Sequence, residues 1–490
     1  MDNKTMMQYF EWYLPENCLF WERCRQQAPR LKEDGFDMMW LPPAYKGASG
    51  ARSVGYDVYD TYDLGEFDQK DTVATKYGTK EEYLNAVKAL QDQGIEVLAD
   101  VVLNHMMGAD GLETVKAEKT ADYNREQEIG EPEEIDVWTK FTFPGRNGKY
   151  SDFSWSASNF SGTDWDERRG ESSIFRFEGK KWNTAIDDEY VNFDYLMGAD
   201  LDMDNPETVR ALHDWGKWYL DTVGMDGFRL DAVKHIKFEF YRDWLKEMRA
   251  YTGKPLFTVG EYWSSEIDKL MGYLKATDDS LALFDVPLHF KFHHAATSDG
   301  QFDMTTLYED TLTKEVPKHS VTFVDNHDTQ PGQSLESFIP QWFKTIAYAL
   351  ILLHKDGIPC VFYGDYYGIP RTNVAPVTGI KKLVKMRKYY AYGRQEDYFD
   401  DPSIVGFTRS GDSEHPDSGL ALLVSNGDGG TKKMNVGRKF AGQLFCDVMG
   451  GFSEPVKISS DGWGMFTVNG GSVSAWVTEE AYRRLWVETE

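Results

Sequence analysis

Gly227-Phe228-Arg229-Leu230-Asp231 is an apolar, strand-like run that ends on an acid, with an arginine two residues before it. Two later runs have the same design. Phe257-Thr-Val-Gly-Glu261 ends on Glu261, and Val321-Thr-Phe-Val-Asp-Asn-His-Asp328 ends on Asp328. An ionisable group just past a buried parallel strand is the signature of a (β/α)₈ barrel, whose active site lies on the C-terminal face of its strands. From 231 to 261 is 30 residues, and from 261 to 328 is 67. One strand-plus-helix unit takes about 31 residues in a barrel of about 250. The gaps therefore correspond to one unit and two units, which places three carboxyls around one rim.

On either side, the same rhythm supplies five more strands. They are Met6 to Tyr13, Asp37 to Leu41, Glu96 to Leu103, Leu281 to Asp285 and Ile358 to Tyr363, which makes eight in all. Amphipathic stretches at 79–93, 207–222, 238–251, 264–275, 340–355 and 378–390 read as helices between them, so the sheet should be parallel. Gly94 is a candidate C-cap for the first of these helices.

The rhythm breaks once. Asp100 and Asp231 are 131 residues apart where one unit should take about 31, so roughly 100 residues are inserted after the third strand. This insert, 104–206, is rich in Asp, Glu, Gly, Ser and Trp, and an irregular β-rich subdomain is expected. After about residue 395, runs such as Ile404 to Thr408, Leu420 to Val424 and Ser472 to Val477 alternate between glycine-rich turns, as in an antiparallel β-sandwich. The expected division is a barrel from 1–103 and 207–395, an insert at 104–206 and a C-terminal β domain at 396–490.

Composition narrows the chemistry. At 490 residues the chain exceeds one compact core, and 41% hydrophobic content argues against disorder. A net charge of −27 without a basic stripe disfavours nucleic acid and anionic membranes, whereas neutral substrates and divalent cations suit it. Cys18, Cys24, Cys360 and Cys446 form no zinc pattern, so free buried thiols in a reducing compartment are expected. With no signal-like N-terminus or membrane-spanning run, the expectation is a cytoplasmic monomer.

Facing carboxyls of this kind suggest glycoside hydrolysis, in which one acts as nucleophile and the other as acid/base. Arg229 and Asp231, two apart on a strand, share a face, so the guanidinium should hold the Asp231 carboxyl low. Tyr262-Trp263 beside Glu261 should desolvate it and raise its pKa, as an acid needs.

Four segments then occur in order: Asp100-Val-Val-Leu-Asn-His105, Gly227-Phe-Arg-Leu-Asp-Ala-Val-Lys-His235, Glu261-Tyr-Trp263 and Phe323-Val-Asp-Asn-His-Asp328. Together they resemble the α-amylase family of glycoside hydrolases over nearly the whole chain. Trp40 to Gly47, Gly55 to Asp60 and Phe193 to Asp200 are similar to the bacterial liquefying subgroup and its intracellular relatives. The resemblance implies Asp231 as nucleophile, Glu261 as proton donor and then base, and Asp328 as the acid that grips and distorts the sugar at the cleavage point. It implies that Arg229 orients Asp231, that His105 and His327 donate to that sugar, and that Tyr56 stacks beneath it. Lys234, His235 and Trp263 would line the leaving-group side. One structural calcium would be held by Asn104, Asp194, Asp200 and the His235 main-chain carbonyl, oxygen ligands suited to a hard cation. Asp202 and Asp204 remain from the subgroup's calcium–sodium–calcium cluster, but Ser161 and Asn183 replace two of its acids. Only one calcium is therefore expected, with lower thermal stability than in the liquefying enzymes.

The implied reaction is endo-hydrolysis of α-1,4-glucosidic bonds in starch, glycogen or maltodextrins with retention. A relative that forms short maltooligosaccharides or transfers glucan chains is the alternative within the enzyme class. An inactive glucan-binding protein is the alternative outside it, and the intact acid trio argues against it.

Overall fold

A computed structural model describes residues 3–487. Eight parallel strands close into the expected barrel: β1 (Met6–Gln8), β2 (Met38–Leu41), β3 (Glu96–Val101), β4 (Gly227–Leu230), β5 (Phe257–Gly260), β6 (Ala282–Phe284), β7 (Ser320–Phe323) and β8 (Ile358–Phe362). They follow one another in order around the ring, and β1 pairs with both β2 and β8. These strands are short and almost wholly buried, which explains why they read as continuous apolar runs rather than alternating ones. Register decides which side chains meet at the rim: Arg229 on β4 sits opposite Asp100 on β3, and Leu230 opposite Gly260 on β5. The close approach of β4 to β5 requires Gly227, because a Cβ there would lie 2.0 Å from the Phe257 carbonyl oxygen.

The first strand is shorter than its apolar run predicts. Only Met6–Gln8 pairs in the barrel; the Tyr9 amide makes a last bond to the Trp40 carbonyl at 2.9 Å, and Phe10 to Tyr13 leave the ladder and carry Trp12 to the rim. The six expected helices are present. Lys80–Asp92 begins with a capping box between Thr79 and Glu82, and Pro206–Val223 is capped by Asn205. Helices at Phe20–Asp34, Val286–Thr297 and Glu479–Val487 add to those the sequence predicts. The first of these contains Pro29 and lacks a side-chain N-cap, and the second buries residues on nearly every side.

Between β3 and β4, residues 105–201 build a six-stranded antiparallel sheet. It is more regular than expected. A long hairpin of Gly111–Ala121 and Asn124–Lys140 dominates it, with three register shifts along its length. The insert enters by His105–Met106 and leaves by Ala199–Leu201, and these two short strands pair directly, Asp200 opposite His105. Beyond the barrel, a six-stranded and a two-stranded antiparallel sheet share a core that includes Leu423, Met434, Phe445, Phe466 and Trp476. All four cysteines are free; Cys24 and Cys360 are buried as expected, whereas Cys18 and Cys446 are half-exposed. Among the described residues no helix is long and apolar enough to cross a membrane.

Candidate active site

The C-terminal rim is organised around one guanidinium. Arg229 is fully buried, and its Nη1 donates to Asp231 Oδ1 at 2.6 Å and to Asp100 Oδ1 at 2.9 Å. Its Nη2 donates to Glu261 Oε2 at 2.5 Å. Acids from the ends of three consecutive strands thus share one cation. Asp100 is saturated, because its Oδ2 also accepts from Trp40 Nε1 at 2.9 Å and from the Tyr56 hydroxyl at 2.7 Å. Such a group is built to hold Arg229 and Tyr56 in place rather than to react. Ala232, directly after Asp231, has φ 47°, a left-handed conformation that is strained for any residue with a Cβ. That kink lets the Ala232 and Val233 amides face Glu261, at 3.4 Å to its carboxylate and 3.1 Å to its carbonyl.

Sharing changes the electrostatics. The sequence predicts that Arg229 holds the Asp231 carboxyl low, yet burial pushes it up to about 6 and outweighs the guanidinium's pull. The reason is burial first, and then the like charge of Asp100, which offsets part of the guanidinium's attraction. Glu261 is raised by burial, Arg229 opposing and the Asp231 charge adding. Asp328 is raised further, by burial and then by repulsion from Glu261.

Asp328 enters from the loop after β7. Asn326 Oδ1 accepts from the Asp328 and Thr329 amides at 2.8 and 2.9 Å, and Asp325 is anchored to the buried Lys344 at 2.8 Å. The His327 ring stacks on Tyr56 with centroids 4.9 Å apart, and its Nε2 lies 3.3 Å from Asp328 Oδ2. His105 Nε2 donates to the Tyr56 carbonyl at 2.8 Å. These contacts bring Tyr56, His105, Arg229, His327 and the three acids into one cluster.

A second group comes from the loop that closes the insert. Lys234 Nζ pairs with Glu189 at 2.7 Å, and His235 Nδ1 donates to the Phe193 carbonyl at 2.8 Å. Trp263 packs against Phe290 and His289 and stays partly exposed. Buried Asp187 ties the two segments together, accepting from the Tyr262 hydroxyl at 2.5 Å while its amide meets the Lys234 carbonyl.

The proposed cation ligands lie at the same seam. Asp200 accepts from the Ser161 hydroxyl, and Asp194 accepts from the Asn183 amide and side chain at 2.9 Å. Burial pushes the Asp194 carboxyl up to about 7, with the Asp202 and Asp204 charges adding to the lift. Asp200 is raised by burial and by Asp194. Asp202 and Asp204 differ in having partners, Lys180 and Lys237, each at 2.5 Å. The Asn104 side chain faces His105 Nδ1 at 3.3 Å. Among the described residues, no three His, Cys, Asp or Glu side chains group as metal ligands. The expected ligand set avoids that pattern, since it combines two carboxylates with an amide and a main-chain carbonyl.

Sequence reasoning missed Asp100 as a partner of Arg229, and also Gln8, Trp12 and Asp187. Asp100 did carry a signal: it is a lone acid inside the apolar run Val97 to Leu103 and lies on β3.

Comparison with known proteins agrees with this architecture. The family described as "Alpha amylase, catalytic domain" matches residues 25–397, and "Alpha-amylase C-terminal" matches 421–477. An α-amylase of Geobacillus stearothermophilus is 55% identical over 97% of this chain and 87% of its own. A glucan 1,4-alpha-maltohexaosidase of Bacillus sp. strain 707 is 50% identical over 97% of this chain and 93% of its own. A cytoplasmic α-amylase of Escherichia coli K12 is 43% identical over 98% of this chain and all of its own. The chain belongs to the α-amylase family of glycoside hydrolases.

Proposed function

We propose that this enzyme cleaves internal α-1,4-glucosidic bonds of starch, glycogen or maltodextrins with retention of configuration. The observation that carries the reading is the placing of Asp231 and Glu261 on neighbouring nitrogens of one guanidinium. That arrangement favours the short carboxyl separation of retaining enzymes, about 5–5.5 Å, over the wider gap that admits a water between them. Glu261, raised by burial, donates its proton to the glycosidic oxygen as the bond to the anomeric carbon breaks. Asp231 attacks that carbon and forms a β-glucosyl ester. Glu261, now a carboxylate, takes a proton from water; the water oxygen displaces Asp231 and restores the α configuration.

Asp328 and His327 hold the sugar at the cleavage point, and Tyr56 forms its floor. His105 reaches that sugar only by releasing or sharing the Tyr56 carbonyl. Lys234, His235 and Trp263 receive the leaving portion. Replacing Asp231 with Asn should abolish hydrolysis with the fold intact; full activity would overturn the assignment. A product time course from an end-blocked maltoheptaoside tests internal attack. It also tests the second reading, release of a fixed short maltooligosaccharide, which the relative named as a maltohexaosidase favours.

The same site supports one structural calcium held by Asn104, Asp194, Asp200 and the His235 carbonyl. Asp194 and Asp200 are buried, lifted by burial and then by neighbouring acids (Asp202 and Asp204 for Asp194, Asp194 for Asp200), and their carboxyls pair only with the neutral Ser161 and Asn183 among the described residues. Asn183 Oδ1 is buried without a hydrogen-bond partner. A hard cation would neutralise this charge and join the insert to the barrel. Asp202 and Asp204 already have lysine partners, so further metals are not proposed. We also assign the three units as the barrel (1–103, 207–395), the insert (104–206) and the C-terminal β domain (396–490), in line with sheet membership. A cytoplasmic location follows the Escherichia coli relative's name, and cell fractionation tests it.

A further inference from the structure

His327 is gripped on all sides. Its ring is 1% exposed, stacked on Tyr56, parallel to Trp12 at 6.0 Å and flanked by Phe10 and Trp40. Two polar groups reach its nitrogens. Gln8 Nε2, at the end of β1, is 3.0 Å from Nδ1, and Asp328 Oδ2 is 3.3 Å from Nε2. The second contact stops short of a formed hydrogen bond, and Nε2 has no other partner among the described residues. We propose that Gln8 is a positioning residue that fixes His327 in the Nε2–H tautomer, with its one proton on the side of Asp328.

Donors and acceptors decide the tautomer. An amide nitrogen has no lone pair to offer, so Gln8 donates and Nδ1 accepts. A neutral imidazole carries a single N–H, which must then sit on Nε2. Burial and the nearby Arg229 guanidinium keep the ring neutral. The opposite amide orientation is costlier. It would turn the Nε2 lone pair toward the Asp328 carboxylate, and it would leave a buried NH₂ unsatisfied in place of the single carbonyl oxygen, Gln8 Oε1, that now lacks a partner.

The consequence falls on Asp328. Glu261, Asp231 and Asp100 face it with like charge, and Arg229 is the opposing cation. Burial and the three acids favour a protonated Asp328, whereas a donor on Nε2 favours the carboxylate that sugar hydroxyls need. This inference rests on the reading of Asp328 as the acid that grips the sugar. Removing the donor should raise the Asp328 pKa further, so the acid limb of kcat/KM should move to higher pH.

Three measurements on the full chain test this. Gln8→Met keeps the length and removes the amide. It should lower kcat/KM by about tenfold, the worth of one hydrogen bond to a charged group, and shift the acid limb upward. Gln8→Glu should recover most of the rate. The introduced carboxyl donates to Nδ1 when protonated and pairs with an imidazolium when ionised; both states keep Nε2–H. Finally, ¹⁵N-histidine NMR of the wild type, with the His327 signals assigned by difference from His327→Gln, should show an unprotonated Nδ1. A protonated Nδ1 would overturn the proposal, as would an unchanged pH profile in folded Gln8→Met. The NMR result stands if Gln8→Met fails to fold. An inactive wild type with the expected tautomer would instead overturn the hydrolytic reading alone.

Discussion

Two buried acidic clusters lie on either side of the seam between barrel and insert, and they are balanced differently. Around Arg229, Asp100, Asp231 and Glu261 share a cation that the chain itself supplies. Around the Asp194 and Asp200 carboxyls the described residues supply only the Ser161 hydroxyl and the backbone and side-chain amides of Asn183. Both clusters have carboxyls lifted by burial. In the first, the geometry is fixed from within and the undercompensated charge becomes chemistry, a carboxyl that can carry a proton near neutral pH. In the second, the undercompensated charge is what the proposed calcium would neutralise.

This contrast stands or falls on four measurements, the largest effect first. Asp231→Asn should lower hydrolysis by about 10⁴-fold or more, the scale on which loss of a nucleophile acts, while circular dichroism stays unchanged. Arg229→Met removes the internal cation and leaves buried acids unpaired. It should destabilise the fold by about 3–5 kcal/mol, read from urea midpoints; a stable variant would mean the acids are not compensated by Arg229. Chelation with EDTA should lower the melting temperature. Calcium at 100 times its dissociation constant should restore about 2.7 kcal/mol, and Asp194→Asn should remove most of that response.

The smallest effect is in pH. The folded-state pKa of Asp231, about 6, lies above the ordinary 3.8. The group's contribution to stability is therefore complete below about pH 4 and is lost as pH rises through 6. Attack needs the ionised form, so kcat/KM should climb over the same interval, by up to about tenfold per pH unit. Urea midpoints and rates measured across pH 4–7 should thus move in opposite directions as far as this group is concerned. A matching rise in both, in an Asp231-dependent way, would assign the lifted carboxyl elsewhere.

Much of the architecture is legible because a barrel writes its plan locally. Eight apolar runs can be recognised from their ends, and the 131-residue gap marks the insert before any of its strands is identified. The acids can be found because Asp231 and Glu261 directly follow apolar runs and Asp328 follows one by four residues. What stays hidden depends on closure of the ring. Gln8 and His327 are 319 residues apart, and Asp187 and Tyr262 are 75 apart, so no window of sequence contains both partners. The expected pKa of Asp231 is wrong for a related reason: the sequence places Arg229 beside it but shows neither the burial that lifts it nor the like charge of Asp100, 131 residues away. Among the helices, Phe20–Asp34 escapes because Pro29 interrupts its pattern, and Val286–Thr297 because it lacks a polar face.

One strand pairing bears on how such enzymes diversify. The insert leaves the barrel at His105–Met106 and returns at Ala199–Leu201, and these strands are hydrogen-bonded neighbours. Entry and exit are thus stapled together, so the distant hairpin between them hangs from a fixed doorway. Lengthening or trimming that hairpin need not disturb the barrel rim, whereas Asp187, Glu189 and Phe193 hold Tyr262, Lys234 and His235 and have to stay. A foreign hairpin in place of residues 111–140 would inherit the doorway intact. The hairpin is in this sense an exchangeable cassette, through which one barrel could be fitted with different outer walls while its acids stay where they are.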